Sequence, residues 1–528
     1  MPTLRFPTCI LLVLILTACA FTRADELTPG FTPTPTLAIQ TTPVPTLQRE
    51  THPVATALPG ATDAPSAIHC PANTDVATTS YTITADMDYP KRVLEVQQQV
   101  DYVNRTENSL NQLVLIVRPN SLPDVFKLES IDVASSNATY QLAGQRLAVE
   151  LPQTLNPDCM ITFTVTFHMQ IPEMDRDGVN AYKGYLGYSY RQANLGHWLP
   201  TMAVRQGDDW LVHDEIPIGE QDVLDDADWD VTLNIPDAPD KLKVAAPGNV
   251  ETNKARQWHY LLPNARDFSL SMSEDYNLSA SKNDNGVTVE LYTFDDAMIQ
   301  TDGGAINSPA FVLDVATKAL SMYSDLYGAY PYKRMVIVQG DFPDGMEFSG
   351  LVFVGGEYFR GFGGPTSYLM IITVHEISHQ WWYGRVGNDQ AINPWLDEAL
   401  ATYSEYVFIE EYFPALKDWW WGFRVNNYSP EGFVDSTVYE FKTRREYINA
   451  IYLRGVLMLR DLRAELGTDA FFDWLHRYAE AGAGRVVAPD FFWSLLTPGQ
   501  FAETAQTREK YLKHPQIVMI TAETTPSQ

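Results

Sequence analysis

One run constrains this chain more than any other: HEISHQWWYGRVGNDQAINPWLDE, residues 375–398 of 528. His375 and His379 stand four apart. On a helix such residues share one face, so both imidazoles reach a single ion. Glu398 comes after a further eighteen residues. Two neutral imidazoles and one carboxylate suit zinc and leave its fourth position open. Glu376 follows the first histidine and is turned roughly 100° around the helix, which sets it beside that open position rather than on the metal. The flanking sequence supports two helices: ITVHEISHQWW is helix-forming and apolar on its other face, and Asn393-Pro394 signals a second start with Glu398 in its first turns. A surface helix carrying two histidines and no metal does not require this context. The arrangement reads as a catalytic zinc site, one Zn2+ per chain, with a carboxylate base.

At these residues the chain resembles the M1 zinc aminopeptidases, a gluzincin family. The family pattern is H-E-x-x-H, eighteen residues, then E, often inside W-L-x-E; here the last part reads Trp395-Leu396-Asp397-Glu398. Asp344-Gly345-Met346-Glu347-Phe348 is similar to the family's G-x-M-E-N substrate strand and matches it at Met346 and Glu347. Asp344 and Phe348 stand where the family has Gly and Asn. Tyr452-Leu453-Arg454-Gly455 is similar to the Y-x-K-G segment that carries a catalytic tyrosine. The resemblance implies that Gly345 and Met346 contact substrate backbone, that Glu347 binds a free α-ammonium, and that Tyr452 donates to the oxyanion. It also implies a β-saddle domain followed by a thermolysin-like α+β domain, the first lending an acidic or amide side chain to the amine site. Gln192 and Asn194, in RQANLGHWLP, are candidates for that side chain, with a purely structural role as the alternative.

The expected chemistry is peptide hydrolysis. Zinc held by His375, His379 and Glu398 lowers the pKa of its water toward about 7, and Glu376 moves the proton to the leaving amine. Removal of N-terminal residues is the first expectation. A zinc endopeptidase, favoured by Phe348, and a non-catalytic lipid-anchored binding protein are the alternatives. Glu405 returns to the helical face of Glu398 and stands either as an orienting partner for a ligand histidine or as an ordinary exposed glutamate. His197 and His213 read as hydrogen-bonded or surface histidines, and Trp419, Trp420 and Trp421 as core or domain contacts.

The chain's start reads as a targeting segment. Arg5 precedes the apolar residues 10–16, a run too short to span a bilayer. Leu16-Thr17-Ala18-Cys19 resembles a bacterial lipobox, so residues 1–18 are expected to be removed and Cys19 lipidated. Residues 19–68 are Thr- and Pro-rich, without hydrophobic periodicity, and predict an extended tether. Of the four cysteines, Cys70 and Cys159 remain; in an exported, membrane-anchored envelope protein they are expected to pair.

Residues 69–283 alternate apolar and polar positions in runs such as TSYTITADMDY and CMITFTVTFHMQI, which predicts large antiparallel sheets with one wet face. From 284 to 515 strands alternate with helices: RMVIVQG reads as a buried strand, PAFVLDVATKALSMYSDLYG as a helix with a Gly stop. A tail, 516–528, follows. After PDFFWSLL the sequence is too short for the further helical domain that many relatives carry, so an open cleft is expected. The formal charge of −29 and pI near 4.6 argue against nucleic acid as a partner, which needs a basic patch. Peptides are the expected substrates.

Overall fold

Alternation in the first half of the chain becomes sheet. The computed structural model describes residues 68–70, 78–134, 136–175, 181–254, 256–301 and 304–516. Along Ser80–Asp88, Val93–Val103 and Met160–Gln170, buried residues alternate with ones partly or fully open to solvent. These strands lie side by side in a nine-stranded sheet. Its order is 249–254, 257–265, 227–234, 80–88, 93–103, 160–170, 126–133, 136–137, with Ile68–His69 also paired to 160–170. Every ladder in it is antiparallel except that between 227–234 and 80–88. Two four-stranded sheets accompany it, and the apolar faces share one core in which Tyr81 stacks on Trp229 at 4.2 Å. A Cys70–Cys159 disulfide ties residues 89 positions apart at the chain's entry to this sheet. Closing a loop of that length adds up to about 4–5 kcal/mol on the chain-entropy estimate.

The second half is α+β. Its five-stranded sheet runs Asn277–Lys282, Thr288–Thr293, Arg334–Gly340, Leu351–Gly355, Gly345–Phe348. The two inner ladders are parallel and the two outer ones antiparallel, which leaves Gly345–Phe348 as an edge. The hairpin of the first two strands spans residues 283 and 284, so this sheet already begins at Asn277. The helix Ser308–Tyr327 starts at Asn307, whose side chain accepts from the Ala310 amide, and stops at Gly328. There φ is +103°, a region that L side chains rarely adopt. Helices Tyr368–Ser378, Trp395–Tyr412, Arg454–Leu466 and Thr468–Ala481 pack with it around a second core.

The described residues belong to one compact unit, 63–528. Buried Arg266 staples its halves, donating to the carbonyls of Leu224, Tyr383, Arg385 and Arg485. The leader at 1–18, Cys19, the tether as far as residue 67 and the tail from 517 lie outside the described residues. Among the described residues no helix is long and apolar enough to cross a membrane.

Candidate active site

The helix Tyr368–Ser378 is buried along almost its whole length and apolar on nearly every side, which fits a helix at the centre of a core rather than at its surface. It carries His375 and Glu376, and His379 caps its C-terminal end in helical geometry. Packed against it, Trp395–Tyr412 brings Asp397 and Glu398 in its first turn. Pro394 occupies the position before that helix, and Asn393 makes no side-chain cap there.

Three ligand atoms converge. His375 Nε2 lies 3.1 Å from His379 Nε2 and 3.3 Å from Glu398 Oε2, and His379 Nε2 lies 3.7 Å from the same oxygen. Around a tetrahedral ion with bonds of about 2.0–2.1 Å, ligands stand about 3.3 Å apart, so the spacing fits zinc. The outer nitrogens say the same. His375 Nδ1 donates to Glu405 Oε1 at 2.9 Å. His379 Nδ1 donates to the Trp382 carbonyl at 2.9 Å and lies 2.6 Å from Asp397 Oδ1. With the protons held at Nδ1, both Nε2 lone pairs point at one spot. Two lone pairs that close repel unless a cation lies between them. Glu398 Oε2 and Glu376 Oε2 are buried without a hydrogen bond of good geometry.

The electrostatics also call for a cation. Burial works against a charged His375, yet Glu398 and Glu405 draw a proton there and lift it to about 9. Burial likewise opposes a charged His379, and Asp397 and Glu347 overcome it. Burial raises Glu376 to about 7, against the pull of both histidines.

Glu405 is wholly buried, not an exposed glutamate. Besides His375 it accepts two bonds from Arg424 at 2.9 and 3.0 Å and one from Trp420 Nε1 at 3.1 Å. Trp420 is buried, its neighbours Trp419 and Trp421 half-buried. Arg424 sits in a short π-helical segment, Trp421–Val425. A second such segment, Asn449–Leu453, carries Tyr452 just ahead of the helix Arg454–Leu466. Insertions of this kind are frequent at functional sites because they re-aim a side chain without ending the helix. The Tyr452 ring lies parallel to that of His375 at 6.0 Å. Burial, then the Glu398 carboxylate, keep its phenol protonated far above the usual range.

The cleft beside these groups is lined by Glu220, Gly345, Glu347, Glu376 and Tyr452 among others. Gly345 has no room for a side chain as the site stands: a Cβ there falls 2.2 Å from Glu376 Oε1. Along the edge strand Glu347 faces the cleft, whereas Met346 and Phe348 point into a separate apolar cluster. Phe348 is enclosed by Tyr185, His197 and Phe353 at 5.8, 5.0 and 6.1 Å, so its departure from the family's Asn does not reshape the cleft.

Gln192 and Asn194 are structural. Gln192 donates to the Tyr276 hydroxyl and the Gln339 carbonyl, Asn194 to the Gly184 carbonyl, and neither lines the cleft. The first half of the chain instead contributes Glu220. Gly219, at φ +62°, lets this loop approach so closely that a Cβ would meet the Tyr447 ring at 2.8 Å. Burial, then Glu398, Asp397 and Asp222, lift Glu220 to about 8. Burial raises Glu347 as well, relieved in part by His379 and reinforced by Glu220. No periodicity or motif marks DEIPIGEQDV, so the sequence held no signal for Glu220. His213 binds Asp389 at 2.9 Å, and His197 lies 3.6 Å from Asp222; neither joins the ligand cluster.

Residues 311–509 match the model of the peptidase family M1 domain. Over these residues the chain is similar to the M1 peptidase domain. Over 229 residues it is 26% identical to Aminopeptidase M1-A of Oryza sativa subsp. japonica, which covers 40% of this chain and 26% of that one. Over 234 residues it is 26% identical to Aminopeptidase N of Lactobacillus delbrueckii subsp. lactis, covering 40% and 27%. The chain thus spans about a quarter of the length of these curated relatives. The likeness of fold extends beyond the matched residues. An M1 zinc metallopeptidase from Deinococcus radiodurans aligns with TM-score 0.60 at 19% identity over 82% of this chain and 92% of its own. A two-domain M1 zinc metallopeptidase variant bound to L-tryptophan aligns with TM-score 0.60 at 16% identity over 82% and 94%.

Proposed function

We propose that this chain is a zinc-dependent aminopeptidase that removes N-terminal residues from peptides. The observation that carries the reading is the acidic end of the cleft: a three-ligand metal site with Glu376 beside it, followed by the buried carboxyl of Glu347 and the half-buried one of Glu220. His375, His379 and Glu398 would hold the ion, which when bound supplies a Lewis acid for the scissile carbonyl and the attacking water. A peptide lies along the edge strand Gly345–Phe348 as an added strand. Its α-ammonium meets Glu347 and Glu220, two carboxyls that burial and neighbouring carboxylates hold above their usual range and that a cation relieves. A chain continuing past that point would put an uncharged amide against both carboxyls, which is costly in a buried site.

Glu376 takes the attacking water's proton at Oε2 and returns it to the leaving nitrogen; burial brings it near the pKa such a shuttle needs. Tyr452 keeps its own proton and donates a hydrogen bond to the oxyanion. Phe348 lies away from the cleft, which removes the reason that residue gave for an endopeptidase. The test is a peptide against its N-acetylated form, with and without chelator. Cleavage of the free peptide alone, abolished by the chelator, is expected; equal cleavage of the blocked peptide refutes the reading. We place the protein at the cell envelope through lipidated Cys19, on a tether reaching on the order of 140 Å if fully extended. Cys19→Ser should then release the protein from the membrane fraction, and retention there argues against the anchor.

A further inference from the structure

We infer that the leaving-group side of the cleft recognises a carboxylate through Arg444 and Arg445. The substrates would then be short peptides whose free C-terminus, or an acidic side chain, follows one or two residues after the scissile bond. This rests on the aminopeptidase reading for the direction of the bound peptide.

The order of groups along the edge strand gives that direction. Glu347 marks the amine end. Gly345 lies against Glu376, where the bond is cut. Asp344 comes next, accepting from the Tyr358 hydroxyl at 2.7 Å and facing Arg444 Nη1 at 3.6 Å. The strand therefore passes amine site, base and arginine in sequence.

The opposite wall has the same polarity. Arg444 and Arg445 open the short helix Arg444–Ile448, which runs on through the π segment to Tyr452. Eight residues of helix separate Arg444 from Tyr452, about 12 Å along the axis at about 1.5 Å per residue. One or two extended substrate residues, at about 3.3 Å each, together with a long arginine arm close most of that gap. Arg445 stacks over the Tyr428 ring at 4.4 Å. A guanidinium held over a ring still offers a fork of N–H donors, the group that binds a carboxylate by two bonds. The third arginine lining the cleft, Arg424, is engaged by Glu405. The cleft thus carries Glu347 and Glu220 where the substrate's amine sits, and Arg445 together with Arg444, itself bridged to Asp344, where a carboxylate would fall. That is the complement of a short zwitterion, in a chain of formal charge −29.

The experiment compares Leu-Ala, Leu-Ala-NH2 and Leu-Asp-NH2 as substrates of the zinc-loaded chain and of the Arg444→Gln/Arg445→Gln variant. Ratios of kcat/KM within one preparation do not depend on how much of it is folded. The wild type should favour Leu-Ala over Leu-Ala-NH2 by about tenfold or more, the size of a charged hydrogen bond, and the variant should bring that ratio close to one. Preference for Leu-Asp-NH2 over Leu-Ala-NH2 that is lost in the variant would also support carboxylate recognition, and would name the side chain as its source. A wild-type ratio near one for both pairs, or a ratio the variant leaves intact, overturns the inference and shows the arginines to be structural. Calorimetric binding of the same three compounds to Glu376→Gln reads the preference without turnover. Failure of all cleavage with the binding preference intact would then strike the aminopeptidase reading alone, whereas equal binding of acid and amides overturns the inference itself.

Discussion

Glu405→Gln removes one charge from the buried cluster behind the ligand His375 and keeps its shape. The carboxylate now satisfies four donors: His375 Nδ1, two guanidinium nitrogens of Arg424, and Trp420 Nε1. Burial alone would raise its pKa, but Arg424 and His375 hold it below the usual carboxylate range, so it is charged at neutral pH. A glutamine offers one acceptor oxygen and turns an NH2 group toward the other donors. Arg424, its side chain 12% exposed, then loses its counter-ion. Breaking a buried pair from one side typically destabilises by about 3–5 kcal/mol. Loss of the carboxylate behind a ligand histidine weakens metal binding by about 10–100-fold, or about 1.4–2.8 kcal/mol. The assays are urea unfolding of the metal-free chain and zinc titration against a competing chromophoric chelator. Glu405→Leu/Arg424→Met separates the two effects, because it removes the unpaired charge but not the need of His375 for a partner. That variant should recover most of the stability while zinc affinity stays reduced. Zinc affinity in Glu405→Gln within twofold of the parent would refute the claim that this carboxylate orients the ligand.

Three further outcomes are expected. Glu376→Gln should still bind one zinc per chain by metal analysis while kcat falls by at least about 10²; near-parental turnover would remove Glu376 from the role of base. Tyr452→Phe should lower kcat by about 10²–10³ with little change in KM, because its hydrogen bond strengthens only as the oxyanion forms; a rise in KM alone would make Tyr452 a binding residue. Asp267, buried, with the Tyr383 hydroxyl and Ser349 amide donating to it, is pushed by burial from 3.8 to about 7. The folded state therefore keeps a proton that the unfolded state releases. Its stabilising effect is full below about pH 4 and is lost as pH rises through about 7, on the order of 4 kcal/mol in all. Asp267→Asn should flatten the unfolding free energy over that window, and parallel pH curves for the two proteins would contradict the argument.

Much of the candidate site was legible because helices repeat locally. Four residues bring His375 and His379 onto one face whatever surrounds them, and Pro394 set Glu398 early in its helix. Strand alternation likewise announced the sheets, since a residue's side of a strand depends only on its neighbours. Glu405 was half legible: spacing gave its face, but only packing against Trp420 and Arg424 made it a buried charged partner. Phe348 misled, because a departure from a family pattern says nothing about which side of the strand it faces. Its ring points into the aromatic cluster with Tyr185 and His197.

The sequence by itself determined the face shared by His375 and His379, the place of Glu376 next to it and the edge strand, whereas Glu398 meets the histidines through the packing of the second helix. Tertiary structure alone decided what lines the amine end of the cleft. Glu220 reaches it from a loop more than a hundred residues before Glu347, because Gly219 with positive φ can press against Tyr447. Asp397 stands beside His379 and Arg424 behind Glu405 only because the second helix packs on the first. Local periodicity fixes which way a side chain points on its own element. Which charge it meets there depends on contacts between residues far apart in the chain, and those exist only once the two cores have formed.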